Sequence, residues 1–86
     1  MPEISRFLGI SIRMYRDDHL PPHFHAVYNE FAAQISIRQP GILQGRLPPR
    51  VLGYVIEWAS AHEAELLRCW QAAQTDQPID KVEPLT

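Results

Sequence analysis

An α+β fold, a small antiparallel β-meander of three to five strands packed on one long kinked helix or two helices, is what this 86-residue sequence predicts. Two observations predict it. Apolar residues alternate with polar ones from Leu8 to Arg38, the period of a half-buried strand, and after Gly45 they recur at spacings of three and four, the period of a helix face. A chain of 86 residues also has material for one core only, so strands and helices must share it as a single domain over residues 1–86.

The first strand is expected from Leu8, with Leu8, Ile10, Ile12 and Met14 on one face and Gly9, Ser11, Arg13 and Tyr15 on the other. Asp17, Asp18 and the Pro21-Pro22 pair then deny a helix and read as a loop. In a second strand Phe24, Ala26 and Tyr28 alternate with His23, His25 and Val27. Asn29-Glu30 turns the chain back into a third, where Phe31, Ala33, Ile35 and Ile37 alternate with Ala32, Gln34, Ser36 and Arg38. Pro40-Gly41 suits the centre of a type II turn, because proline presets φ and glycine accepts a positive φ. A short strand from Ile42 to Gln44 follows.

The helical stripe runs Leu52, Val55, Ala59, His62, Leu66, Cys69 and Ala73, with a start expected within Pro48 to Val51 because proline fits a first turn. Unbroken to Ala73 the helix would approach 40 Å at about 1.5 Å per residue, so a kink or break near Ser60 is expected. Pro78 ends the helical region, and Ile79 to Val82 reads as an edge strand. Leu52, Val55, Leu66 and Trp70 are expected in the core. Trp58 and Trp70 lie roughly 120° apart around the helix axis at about 100° per residue, more than one small sheet covers. One indole is therefore expected at the surface, centring the contact with a partner or a second copy.

Composition bounds the function. Hydrophobic residues at 45% and charged residues at 21% are ordinary for a globular domain, and a net charge of −2 lacks the basic excess of a nucleic-acid domain. Seven of the eight cations are arginine, the side chain suited to planar recognition of carboxylate or phosphate. The single cysteine, Cys69, admits no internal disulfide and reads as a packing residue. Without a leader or a long apolar run, the expected location is the cytoplasm, with no membrane contact.

The segment Asp17-Asp18-His19-Leu20-Pro21-Pro22-His23-Phe24-His25 holds three of the four histidines. On a strand His23 and His25 project from one face, a spacing that lets two imidazoles share a metal ion. His19 folding back with Asp17 or Asp18 would complete mixed nitrogen and oxygen ligation of a divalent transition metal such as zinc, nickel or iron. The same imidazoles also suit a general acid and base of a small nuclease, with Arg13 or Arg38 stabilising a phosphoryl anion and Tyr15 positioning it on RNA. The plainest alternative is a proline turn that packs Phe24 and leaves each ring bonded to nearby backbone. His62, within the helix stripe, reads as a boundary histidine.

The stretch from Pro2 to Ala26, with its run D-H-x-P-P-H-F-H-A, resembles the opening of a bacterial family known as domain of unknown function 4160. Leu47-Pro48, Trp58, His62, Glu65, Leu66, Leu67, Trp70 and the closing Ile79 to Leu85 continue the resemblance along nearly the whole chain. Pro49 departs from it, standing where that family more commonly carries charge. The resemblance implies a small protein encoded beside a second short one, hence a binding module acting through a small partner protein or as a homodimer, one half of a toxin-antitoxin-like pair. It implies no catalytic residue: Asp18, His19, His23, His25, His62 and Trp70 match the pattern without an assigned role. A nuclease-type enzyme or a metal-binding protein centred on His23 and His25 is the alternative.

Overall fold

The computed structural model describes residues 3–86 and shows an α+β fold. Five antiparallel strands, β1 (Glu3–Phe7), β2 (Ile10–Arg13), β3 (His23–Tyr28), β4 (Phe31–Ser36) and β5 (Ile42–Arg46), lie side by side in chain order. Helices α1 (Pro49–Ala61) and α2 (Glu63–Gln74) follow.

Alternation in β2, β3 and β4 sends Ile10, Ile12, Phe24, Ala26, Ala33 and Ile35 into the core, as the apolar period requires. The helices supply the other layer through Val51, Val55, Trp58, Ala59, Leu66, Cys69, Trp70 and Ala73, while Leu52 packs half-buried at the margin. α1 starts at Pro49 with Pro48 as its N-cap residue, inside the expected window. The break falls at His62, two residues past Ser60, where φ −123° and ψ 27° leave the helical region.

The amino-terminal strand was not legible. Four strands precede Arg38 rather than three, because the chain from Glu3 to Arg13 is a hairpin. Leu8 and Gly9 form its turn with φ of 53° and 77°, positive at both positions as a type I′ turn demands. Leu8 therefore leaves the apolar face and is 60% exposed. β1 escapes a period-two reading because its register shifts between Glu3 and Ser5, which places Ile4 and Phe7 inward at an odd separation.

Two further expectations are corrected. Pro40-Gly41 does not form a type II turn, since the positive φ in that connection belongs to Gln39, at 51°. In β5 it is Gly45 that needs glycine, with φ +83° and a position where a Cβ would collide with the Ala32 carbonyl oxygen. Ile79 to Val82 forms no strand, yet the Val82 N–H donates to the Ile4 carbonyl at 2.8 Å and lays the tail along β1.

Both tryptophans are buried within one chain, Trp58 at 0% and Trp70 at 5% exposure, so neither indole centres a surface contact. One straight helix would leave an indole uncovered, but the chain forms two helices. The break at His62 re-aims α2, and the tail covers what the sheet cannot, with the Trp58 indole N–H donating to the Glu83 carbonyl at 2.7 Å. The Cys69 thiol donates to the Asp80 carbonyl at 3.4 Å, and burial pushes its pKa up, consistent with a packing role. No helix among the described residues is long and apolar enough to cross a membrane.

Candidate metal centre

The loop between β2 and β3 folds back over the end of the sheet and places Asp18 above the start of β3. The carboxyl end of α2 anchors it: the Asp17 N–H points to the Ala73 carbonyl at 3.4 Å, and Gln74 Nε2 donates to the Asp18 carbonyl at 2.9 Å. Leu20–Pro21 is cis, and Pro22 leads directly into β3.

His23 and His25, two apart on β3, both turn their Nε2 atoms to one carboxylate oxygen. Asp18 Oδ2 lies 3.0 Å from His23 Nε2 and 2.9 Å from His25 Nε2. The three donor atoms offered by Asp18, His23 and His25 all fall within 4.8 Å of one another. Burial tends to raise the Asp18 carboxyl, but hydrogen bonds from the His25 ring and the His19 backbone N–H outweigh it and hold the carboxyl below its ordinary value.

His23 carries the sharpest constraint. It is 1% exposed, and its Nδ1 lies 2.8 Å from the Pro21 carbonyl oxygen, a contact that requires Nδ1 to be the protonated donor. Nε2 of a neutral ring then presents a lone pair, and what it faces is the carboxylate of Asp18. Two acceptors opposed at 3.0 Å inside the protein call for a positive charge between or upon them, either a second proton on the ring or a metal cation. A ring N–H bonded to a backbone carbonyl is also how metal-ligating histidines are commonly oriented.

The other expected site residues are drawn in to different degrees. His19 Nδ1 is 3.3 Å from Asp18 Oδ1, but the ring is 76% exposed and lies outside the three-residue cluster. Tyr15 meets His25 edge to face with ring centroids 4.5 Å apart, so it packs the imidazole in place. Arg13 is the cross-strand neighbour of His25 and donates through Nε to Ser11 Oγ at 3.0 Å. Trp70 lies behind His23, with centroids 5.3 Å apart. His62 stands apart from this cluster, pairing Nδ1 with Glu65 Oε1 at 2.8 Å beside Trp58. Sequence reasoning gave no role at the site to the Pro21 carbonyl or to Gln74, because both act through folding that brings sequence-distant groups together.

A family model described as Domain of unknown function (DUF4160) matches residues 9–71. The chain belongs to this family. The DUF4160 match takes in β2 through most of α2, and with them Asp18, His23, His25 and Trp70, whereas β1, Gln74 and the tail lie outside it. Comparison with curated proteins and with solved structures finds no match.

Proposed function

We propose that the protein binds a divalent transition metal through Asp18, His23 and His25. The observation that carries this reading is the buried His23 ring, whose Nδ1 is committed to the Pro21 carbonyl while its Nε2 faces a carboxylate and a second imidazole. Two imidazoles and one carboxylate suit zinc, iron or nickel over calcium or magnesium, which prefer oxygen donors. Three protein donors also leave a fourth position for water or a substrate, the arrangement of catalytic rather than structural zinc. Asp18 and His25, at 17% and 22% side-chain exposure, leave that position within reach of solvent. A bound ion would supply a Lewis acid and a water of lowered pKa. The two-histidine acid–base reading fits less well, because both Nε2 atoms address one carboxylate oxygen rather than opposite sides of a scissile bond.

The test is calorimetric titration of tag-free, chelator-stripped protein with zinc, and with cobalt as an optical probe. One ion per chain is expected, with a dissociation constant at or below about 1 μM and cobalt absorption typical of low coordination number. Binding no tighter than that of unfolded chain would end the metal reading.

A small partner protein or a second copy of the chain is the second reading, and the β5 edge favours it. Among the described residues β5 pairs with β4 alone, and Ile42 and Leu43 on it are exposed, which suits addition of a strand from another chain. Leu43→Lys should then abolish self-association, or capture of the partner, in sedimentation velocity. A chain that is monomeric alone and indifferent to this substitution with its genomic neighbour would sink it.

A further inference from the structure

The wall that backs His23 and Asp18 has a second side. Between the start of β3 and the carboxyl end of α2 lies a cleft of about 580 Å³, within the range of small-molecule sites. Pro22, Leu67 and Trp70 give it apolar walls, Gln74 and Thr75 a polar rim, and Arg38 the single charged side chain in its lining.

The cleft is braced from behind. Trp70 rests against His23, Gln74 is tied by its amide to the Asp18 carbonyl, and Pro22 follows the residue whose carbonyl holds His23 Nδ1. A wall fixed at these points does not need to reorganise to receive a ligand, which lowers the cost of binding.

Its electrostatics favour an anion. The last carbonyls of α2 are already capped: Gln71 O accepts from the Thr75 N–H and from Thr75 Oγ1, and Ala72 O from the Thr75 and Gln77 N–H groups. Asp76, the acid next to the rim, is paired with Arg16. The Asp18 carboxylate is turned to the histidines. Arg38 makes no ion pair or side-chain hydrogen bond among the described residues, so its guanidinium is available to a ligand. Guanidinium over an apolar trough matches one chemistry, a planar or tetrahedral oxyanion carried on an apolar body.

We infer that this cleft is a binding site for a small organic oxyanion, a carboxylate or phosphate monoester with an aromatic or aliphatic body. It is independent of the metal reading, and its test runs on chelator-treated full chain so that either can fail alone. Benzoate and phenyl phosphate are titrated into isotopically labelled protein, with benzyl alcohol and inorganic phosphate as neutral and body-free controls. The Trp70 indole N–H and the Gln74 side-chain amide signals should shift saturably, with millimolar affinity or better for the two organic anions. Both controls should bind at least about fivefold more weakly, and Arg38→Gln should weaken the anions by at least about fivefold while leaving benzyl alcohol unchanged. Arg38 is exposed, so the variant keeps the fold. No saturable shift at Trp70 and Gln74, equal affinity for benzoate and benzyl alcohol, or anion binding unchanged by Arg38→Gln would each overturn the assignment.

Discussion

Trp58→Ala is expected to lower the melting temperature by roughly 12–40 °C, taking about 3–5 kcal/mol for a large buried aromatic and about 4–8 °C per kcal/mol for a domain of this size. The indole has no exposed surface, meets Phe24 edge-on at 5.7 Å and Phe7 at 5.3 Å, and donates its N–H to Glu83 O at 2.7 Å. Truncation opens a cavity at the junction of sheet and α1 and strips the tail carbonyl of its donor. A chain of 86 residues holds roughly 4–13 kcal/mol of net stability, so the loss is comparable with the whole. Thermal unfolding by circular dichroism measures it, with Trp58→Phe expected to keep much of the packing and lose the hydrogen bond. A drop below about 5 °C for Trp58→Ala would show that the surroundings collapse into the space.

His23→Ala should weaken zinc binding at least about 100-fold, equivalent to about 2.7 kcal/mol. In the proposed site the ring would supply a donor atom, and by bridging the Pro21 carbonyl to the carboxylate it also orients the loop that carries Asp18. Saturating zinc at about 100 times its dissociation constant stabilises the parent by about 2.7 kcal/mol, a rise in melting temperature that the variant should lack. His25→Gln serves as the companion, because His25 is partly exposed and its replacement leaves the core packing of Trp70 against His23 in place. Parent-like zinc affinity in both variants would place the ion elsewhere, whereas loss in both with intact far-ultraviolet spectra would assign it to this cluster.

The middle of the chain was legible because its signals are local. Ile10, Ile12, Phe24, Ala26, Ala33 and Ile35 repeat with strict period two, and the stripe from Val55 to Ala73 repeats with helical period, so burial alone dictates their placement. Asp18, His23 and His25 were readable as a group since eight consecutive positions contain them and a two-residue spacing on a strand fixes the ring directions. The rest depended on information that sequence distance hides. β1 was concealed by a bulge that breaks its alternation, and Leu8 was misplaced because it adopts a left-handed turn conformation ordinarily left to glycine or asparagine. The fate of the tryptophans turned on where α2 points and on the tail, neither of which an axial projection of one helix contains. His19, adjacent in sequence to the cluster, is held out of it because its backbone N–H and ring address the other oxygen of Asp18.

The tail has a consequence for the order of events during synthesis. Its bonds join Val82 to Ile4 and Glu83 to Trp58, closing a loop that spans almost the whole chain. Such contacts cannot form until Val82 and Glu83 have left the ribosome, so the outer edge of β1 and one flank of the Trp58 indole stay uncovered while the sheet and both helices are being made. Closure of the longest loop is also the entropically costliest step. The nascent meander therefore exposes its amino-terminal edge to other chains until Val82 and Glu83 arrive, and a chaperone that shields strand edges would find its substrate there.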